Sequence, residues 1–539
     1  MASVDSGHGG PRPADETRLV EHAGTQAPVN TWASPLPRLL GSIDVASESS
    51  VRDPQAAVLS ARSLPDFFKA WAAVRVPVGE RLTRSELQRR IGEDLAALDE
   101  AIARQVDAVL HHPAFQQLEA AWRGLWWLTG QAERANGDSS TDGVVKIRLL
   151  PVTKRELQRD QESAVEFDRS QIWKKVYEEE FGTAGGTPYG LLVCNHEFSH
   201  LPDDVRLLKG LADVAMGAFA PVLVSPSAKL LGLESLADLE MHLSADVMRT
   251  SPEYVNWRGL RERDESRFVG MPLPRVLARV PYDGLLGAPE AAGCGERSWA
   301  QRGFRYREHQ EGPDFSGKLW MSAVWALAGV IIREFGRSGW FADIRGASRN
   351  LAGGGLVDDL PTEVAEGFQA AHVRGPMEVF VTDNCQLELE ECGFIPLCSS
   401  QADGKAVFHS NSSLHVREKF DNPSATINAG LSSMLQYVLC VSRFAHFLKV
   451  IGRDKIGGFQ EASDLQLFLS NWINEYVTPD DDASPEARAR MPLRAAQVDV
   501  VEEVASPGDF RVVMRFQPHF QIDRLDATLR LVSTIKKPK

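Results

Sequence analysis

The chain has 539 residues, 43% of them hydrophobic and 24% charged, with 12 Trp and a formal net charge of −14 at pH 7. That composition excludes bulk disorder and a minimal scaffold, and it leaves room for two or three domains with a large core. The acidic balance argues against nucleic acid or an anionic membrane as a general partner and favours proteins.

Residues 1–64 are rich in Gly, Pro, Ser and Ala with little periodicity, which predicts a flexible arm. The N-terminus lacks the apolar core of a secretory signal, so export by that route is not expected. One island, PLPRLLGSIDV, sets Leu36, Leu39, Leu40 and Ile43 at helical spacing. It suits a short helix that forms on a partner, or one that docks on its own domain.

A long helical section follows. Thr83 and Glu86 form a capping-box pattern before Leu87, Ile91, Leu95, Leu98, Ile102, Val106 and Val109. His111-His112-Pro113 ends this helix, and two histidines there suit the helix dipole and free carbonyls better than a metal. AFQQLEAAWRGLWWL then starts a second helix, with Phe115, Leu118, Trp122, Leu125 and Trp126 on one side.

From Val144 strands and helices alternate. VVKIRLLPV reads as a strand, Thr153 through Tyr177 to Phe181 as a charged helix, and GLLVC as a buried strand. VRLLKGLADVAMGAF then reads as a helix and PVLVSP as a strand. This predicts an α/β fold, with a mixed, largely parallel sheet core flanked by helices.

At the end of GLLVC stands NHEFSHLP, which holds an H-E-x-x-H string: His196, Glu197 and His200. In a zinc hydrolase a helix sets both histidines on one face to bind the metal, and the glutamate is the base. Here a strand precedes the string, Pro202 and Asp203 start a helix only after it, and no downstream segment clearly offers a third ligand. A strand-to-helix turn whose polar side chains satisfy backbone groups is the expectation, with no catalytic residue, metal or cofactor. The glycine clusters at 182–190 and 351–361 lack the G-K-[ST] of a phosphate loop and read as turns.

The apolar run LWMSAVWALAGVII, Leu319 to Ile332, is 14 residues long. That falls short of the roughly 20 that span a bilayer, which predicts a buried helix and no membrane insertion. Further on, MEVFVTD and GFIPLC read as strands, and SSMLQYVLCVSRFAHFLKVIGRDKIG as a buried helix with His446 in its core face. The cysteines Cys194, Cys294, Cys385, Cys392, Cys398 and Cys440 form no C-x-x-C pair and read as reduced thiols of a cytosolic protein.

After the acidic loop VTPDDDASPEARAR, three strand candidates close the chain: RAAQVDVVEEV, FRVVMRFQPHF and ATLRLVS. Ser506-Pro507-Gly508-Asp509 turns between the first two, and Phe510, Val512, Met514 and Phe516 alternate onto one apolar face. Such strands either pack on their own domain or accept strands from another chain.

Several of these stretches together resemble a known family. They are HPAFQQLEAAWRGLWWL, EFDRSQIWKKVYEEEFGTAGGTPYGLLVCNHEFSH, WRGLRERDESRFVGMPLPRVLARVPY, TDNCQLELEECGFIPL, RFAHFLKVIGRDKIG, and PLRAAQVDV through FQPHFQIDRLDATLRLVS. In this order they resemble the large subunit of the type VI secretion contractile sheath, the TssC or VipB family, from about Leu64 to Ser533. One departure stands out: Met321 and Ser322 occupy the place of Gly and Asn in a motif usually written W-G-N-A-A.

The resemblance implies a structural protein of the bacterial cytoplasm rather than an enzyme. It would pair with a small sheath subunit of the TssB or VipA type, and the heterodimers would polymerise on a baseplate around an inner tube of Hcp type. Contraction would then drive that tube outward. The C-terminal strands would join an intersubunit sheet, with Val498, Val500, Phe510, Val512, Met514, Phe516, Leu529 and Leu531 as its residues. A ClpV-type AAA+ unfoldase would recognise Leu36, Leu39, Leu40 and Ile43. The implied organisation is an arm at 1–64, a core domain at 65–366 and a C-terminal domain at 376–539 that includes strands 494–533. A non-polymerising accessory paralogue is the alternative that Met321 and Ser322 motivate.

Overall fold

The computed structural model describes residues 62–76, 83–137, 145–181, 186–239, 245–282, 306–309, 317–346, 353–362, 375–399, 405–417, 420–455, 462–480, 483–502, 510–519 and 529–535. Leu36, Leu39, Leu40, Ile43, Cys294 and the turn at 506–509 lie outside them. The chain divides into a unit of residues 1–95 and a unit of residues 96–539.

In the first unit, helix α1 (Leu64–Arg75) is capped by Ser63, whose side chain accepts from the Asp66 amide. Helix α2 (Arg84–Leu110) begins with the expected capping box: the Thr83 amide donates to Glu86 Oε2 at 2.8 Å, and the Glu86 amide to Thr83 Oγ1 at 3.3 Å. Asp94 ties the two helices, accepting from Trp71 Nε1 at 2.7 Å and Arg75 Nε at 2.9 Å.

In the second unit, α3 (Pro113–Gly137) packs along α7 (Ala323–Ser338) by reciprocal interlocking. A Cβ on Gly124 would clash with the Trp325 ring, and one on Gly329 would meet the Trp127 ring at 2.5 Å. Each tryptophan therefore fills the hole left by the other helix's glycine. The side on which periodicity groups Trp122 and Trp126 is not the one that meets α7. The buried face of α3 carries Gly124, Trp127, Leu128, Gln131 and Ala135, whereas Trp122 and Trp126 are 57% and 76% exposed and Phe115 and Leu118 also face solvent. Apolar residues occur on both sides of the helix, so periodicity alone did not choose between them.

Three expectations are corrected. Residues 145–153 form no strand, and Val145 is instead held at both its amide and its carbonyl by the Asn136 side chain. The helix expected through residues 153–181 is broken. Helix α4 (Lys154–Ser163) stops, and Asp160 then caps the start of the next helix by accepting from the Gln171 and Ile172 amides at 2.8 and 3.0 Å. That second helix, α5, runs from Gln171–Trp173 through a π turn at Lys174–Glu178 to Glu179–Phe181. Finally, MEVFVTD contributes only an isolated bridge from Met377 to Val276, and Thr382 caps helix α8 (Asp383–Glu391).

The α/β centre matches the alternating pattern. Strand β1 (Leu192–Phe198), helix α6 (Pro202–Ala218), β2 (Val222–Pro226) and β3 (Val269–Gly270) form a parallel sheet in the order β1-β2-β3. Strand β4 (Pro272–Leu273) pairs with β8 (Ile395–Ser399), followed by β9 (Ala406–Phe408) and β7 (Leu356–Val357). Strand β5 (Val276–Leu277) pairs with β6 (Trp320–Met321), which leads into α7. Here Ser322 accepts from the Val324 amide at 3.2 Å as an N-cap, the service an Asn would give, and Met321 is buried opposite Val276.

Helices α9 (Leu435–Lys455) and α10 (Ala462–Asn474) precede three antiparallel strands, β10 (Leu493–Glu502), β11 (Phe510–Pro518) and β12 (Leu529–Ile535), with β11 in the middle. Among the described residues no helix is long and apolar enough to cross a membrane.

Candidate assembly surface

Val498, Val500, Phe510, Val512, Met514 and Phe516 share one face of the C-terminal sheet because β10 and β11 pair Val498 with Met514, Val500 with Val512, and Ala496 with Phe516. That face is not open to another chain. It packs on Phe444 and Leu448 of α9, on Leu465, Leu469 and Ile473 of α10, and on Trp340. Val512 and Met514 are fully buried, and the rings of Phe516 and Phe444 stack at 5.0 Å. Leu529 and Leu531 register with Phe516 and Met514 across the β11–β12 ladder.

The opposite face is polar in part, with Arg515 Nη1 donating to Asp499 Oδ2 at 2.6 Å and Val501 exposed. Among the described residues the outer edge of β12 has no paired strand, and that of β10 is bridged only at Leu493, to Val477. Side chains thus anchor the sheet to its own helices, and among the described residues no further strand lies along the outer edge of β12. Alternation revealed the apolar face, but nothing in it distinguishes an own helix from a foreign chain as the covering layer.

The H-E-x-x-H string is built differently from a helical zinc site. His196 and Glu197 lie on β1, and His200 lies beyond its end. His196 Nε2 donates to the Val152 carbonyl at 3.0 Å, and burial holds its pKa below the usual range. His200 Nδ1 donates to the Lys229 carbonyl at 3.0 Å, and its ring stacks on Tyr254. The Glu197 carbonyl accepts from Lys154 Nζ at 2.6 Å. Asp204 accepts from Ser199 at both amide and hydroxyl; burial pushes its carboxyl up, but bonds from Lys154 and Ser199 outweigh that and hold it low. The string therefore satisfies backbone groups at a strand-to-helix turn.

His111 meets a carboxylate rather than a helix carbonyl, its Nε2 lying 3.1 Å from Glu308 Oε1. His446 donates from Nε2 to the Ala218 carbonyl at 3.0 Å, and burial pushes it down to about 4. Burial likewise pushes the thiol of Cys194 up to about 11 and those of Cys398 and Cys440 to about 12, which keeps them protonated and unreactive. Among the described residues no group of His, Cys, Asp and Glu is arranged to hold a metal ion.

Comparison with known proteins places this arrangement. Residues 92–415 match the family described as EvpB/VC_A0108, tail sheath N-terminal domain. Residues 424–535, which span α9 to β12, match the EvpB/VC_A0108 tail sheath gpW/gp25-like domain. The chain is also 36% identical over 462 residues to the type VI secretion system sheath protein TssC1 of Pseudomonas aeruginosa, covering 85% of this chain and 88% of that protein.

Proposed function

The chain belongs to the VipB family, the large subunits of the type VI secretion sheath, and on that premise we propose that it pairs with a small sheath subunit, polymerises around an inner tube and contracts to propel it. The observation that carries this reading is the ordered match of both tail sheath domains, over residues 92–415 and 424–535. Polymerisation then proceeds by backbone pairing at the edges of the β10–β12 sheet, and side chains such as Met514 hold that sheet rigid from behind. The exposed Trp122 and Trp126 of α3 are the anchors we assign to the small subunit, since rigid aromatics dominate such interfaces.

The role is structural and takes place in the bacterial cytoplasm, without a cofactor, on a baseplate and an Hcp-type tube. A ClpV-type unfoldase recognises Leu36, Leu39, Leu40 and Ile43 in the arm, followed by the domains at 65–366 and 376–539. The work of contraction comes from small interface differences summed over many protomers rather than from nucleotide.

The test is co-expression with a tagged small sheath subunit followed by ultracentrifugation. The reading expects co-purification and a pelletable polymer. A stable heterodimer that never pellets would instead support the accessory paralogue, and failure to co-purify would defeat the pairing itself.

A further inference from the structure

Lys449 projects from α9 into a group of three aromatic rings. Its Nζ lies 4.7 Å from the ring centre of Tyr177, 5.0 Å from that of Phe181 and 4.6 Å from that of Phe219. It also donates to the Tyr177 hydroxyl at 3.3 Å. Burial pushes the amine down to about 8.

Two backbone features independently serve this cage. Phe219 ends α6 in the left-handed conformation, at φ 53 and ψ 38, where glycine is the ordinary residue. Placing a phenylalanine there strains the backbone and delivers a ring face to the ammonium. Tyr177 lies within the π turn of α5 and Phe181 follows it; such turns are uncommon and concentrate at functional positions. The rings of Trp173 and Tyr177 stack at 4.3 Å, Tyr177 and Phe181 lie 4.7 Å apart, and Phe181 in turn meets His446 of α9 at 5.6 Å, so the cage is part of an aromatic ladder.

The cage and its occupant come from different parts of the protein. Tyr177, Phe181 and Phe219 lie in the segment 92–415, and Lys449 lies in the segment 424–535. We propose that the cage of Tyr177, Phe181 and Phe219 around the Lys449 ammonium is a releasable latch between these two segments of the chain. The ring faces attract the cation, whereas its entry strips it of water, and the two effects oppose each other. The contact is consequently weaker than an apolar one of the same shape and opens more readily than the core around it.

The latch is intramolecular, so its test does not depend on the assembly reading. Hydrogen exchange is followed on the purified full-length chain in peptides covering 171–181 and 440–452. Lys449→Met keeps the length of the side chain and removes the cost of burying charge. Exchange in both peptides should slow by about tenfold, the equivalent of one pKa unit. Phe219→Gly relieves the backbone but removes a ring, and the same peptides should exchange about tenfold faster. Unchanged or faster exchange in Lys449→Met, including a variant that folds poorly, would overturn the latch. So would unchanged exchange in Phe219→Gly.

Discussion

Buried single groups give this protein two distinct sensitivities. His446 is held neutral in the fold, with its pKa lowered from the usual value to about 4 by burial. A folded pKa below the unfolded one means that the unfolded chain binds more protons between the two. The stability contributed by neutral His446 is therefore full above about pH 6.5 and lost as pH falls toward 4, about 2 kcal/mol of it by pH 5. His446→Gln keeps a donor for the Ala218 carbonyl, and thermal melts of this variant should show a flatter pH dependence between 4 and 6.5; an identical slope would assign the acid sensitivity elsewhere. Met514 shows the other sensitivity. Being fully buried behind the sheet, it should cost roughly 2–5 kcal/mol on Met514→Ala by denaturant melts, and Met514→Asp should unfold the C-terminal segment rather than block assembly alone. His446 was readable as a core residue from its place in an apolar helix pattern. The partner of His111 was not, because Glu308 is distant in sequence and no spacing rule connects them.

At the scale of elements, the pattern named most helices and the three terminal strands. It failed where one residue redirects the chain or where apolar residues lie on two faces. The helical pattern breaks after Ser163, where Ser170 caps a new helix whose first amides also donate to Asp160, and residues 145–153 have a strand-like composition but form no ladder. On α3 the Trp and Leu residues outline two stripes, and only the glycine holes facing Trp127 and Trp325 reveal which one is buried. That interlock leads to a prediction: Gly329→Ala should destabilise the chain by about 1–3 kcal/mol, read as a lowered denaturation midpoint, because its methyl would displace the Trp127 ring. The exposed stripe should behave in the opposite way. Trp122→Ser with Trp126→Ser should leave the melting of the chain within about 0.5 kcal/mol of the parent and reduce recovery with the small subunit. Full recovery of that double variant would move the small-subunit contact away from α3.

For the whole molecule, the α/β centre and the terminal sheet form one unit, residues 96–539, and the family to which the chain belongs is one of tail sheath proteins. The H-E-x-x-H string lies on β1 and beyond its end and satisfies carbonyls, the described thiols of Cys194, Cys398 and Cys440 are held protonated by burial, and the terminal sheet is backed by its own helices. The architecture of the unit was accessible from alternation and the ordered family stretches, whereas assembly depends on surfaces whose partners are other chains. The most direct measurement is negative-stain electron microscopy of the full-length chain co-expressed with its small sheath subunit. Long tubules with cogwheel cross-sections are the predicted result. Soluble particles without tubules, at concentrations where the heterodimer is intact, would contradict the account of this chain as a polymerising sheath subunit.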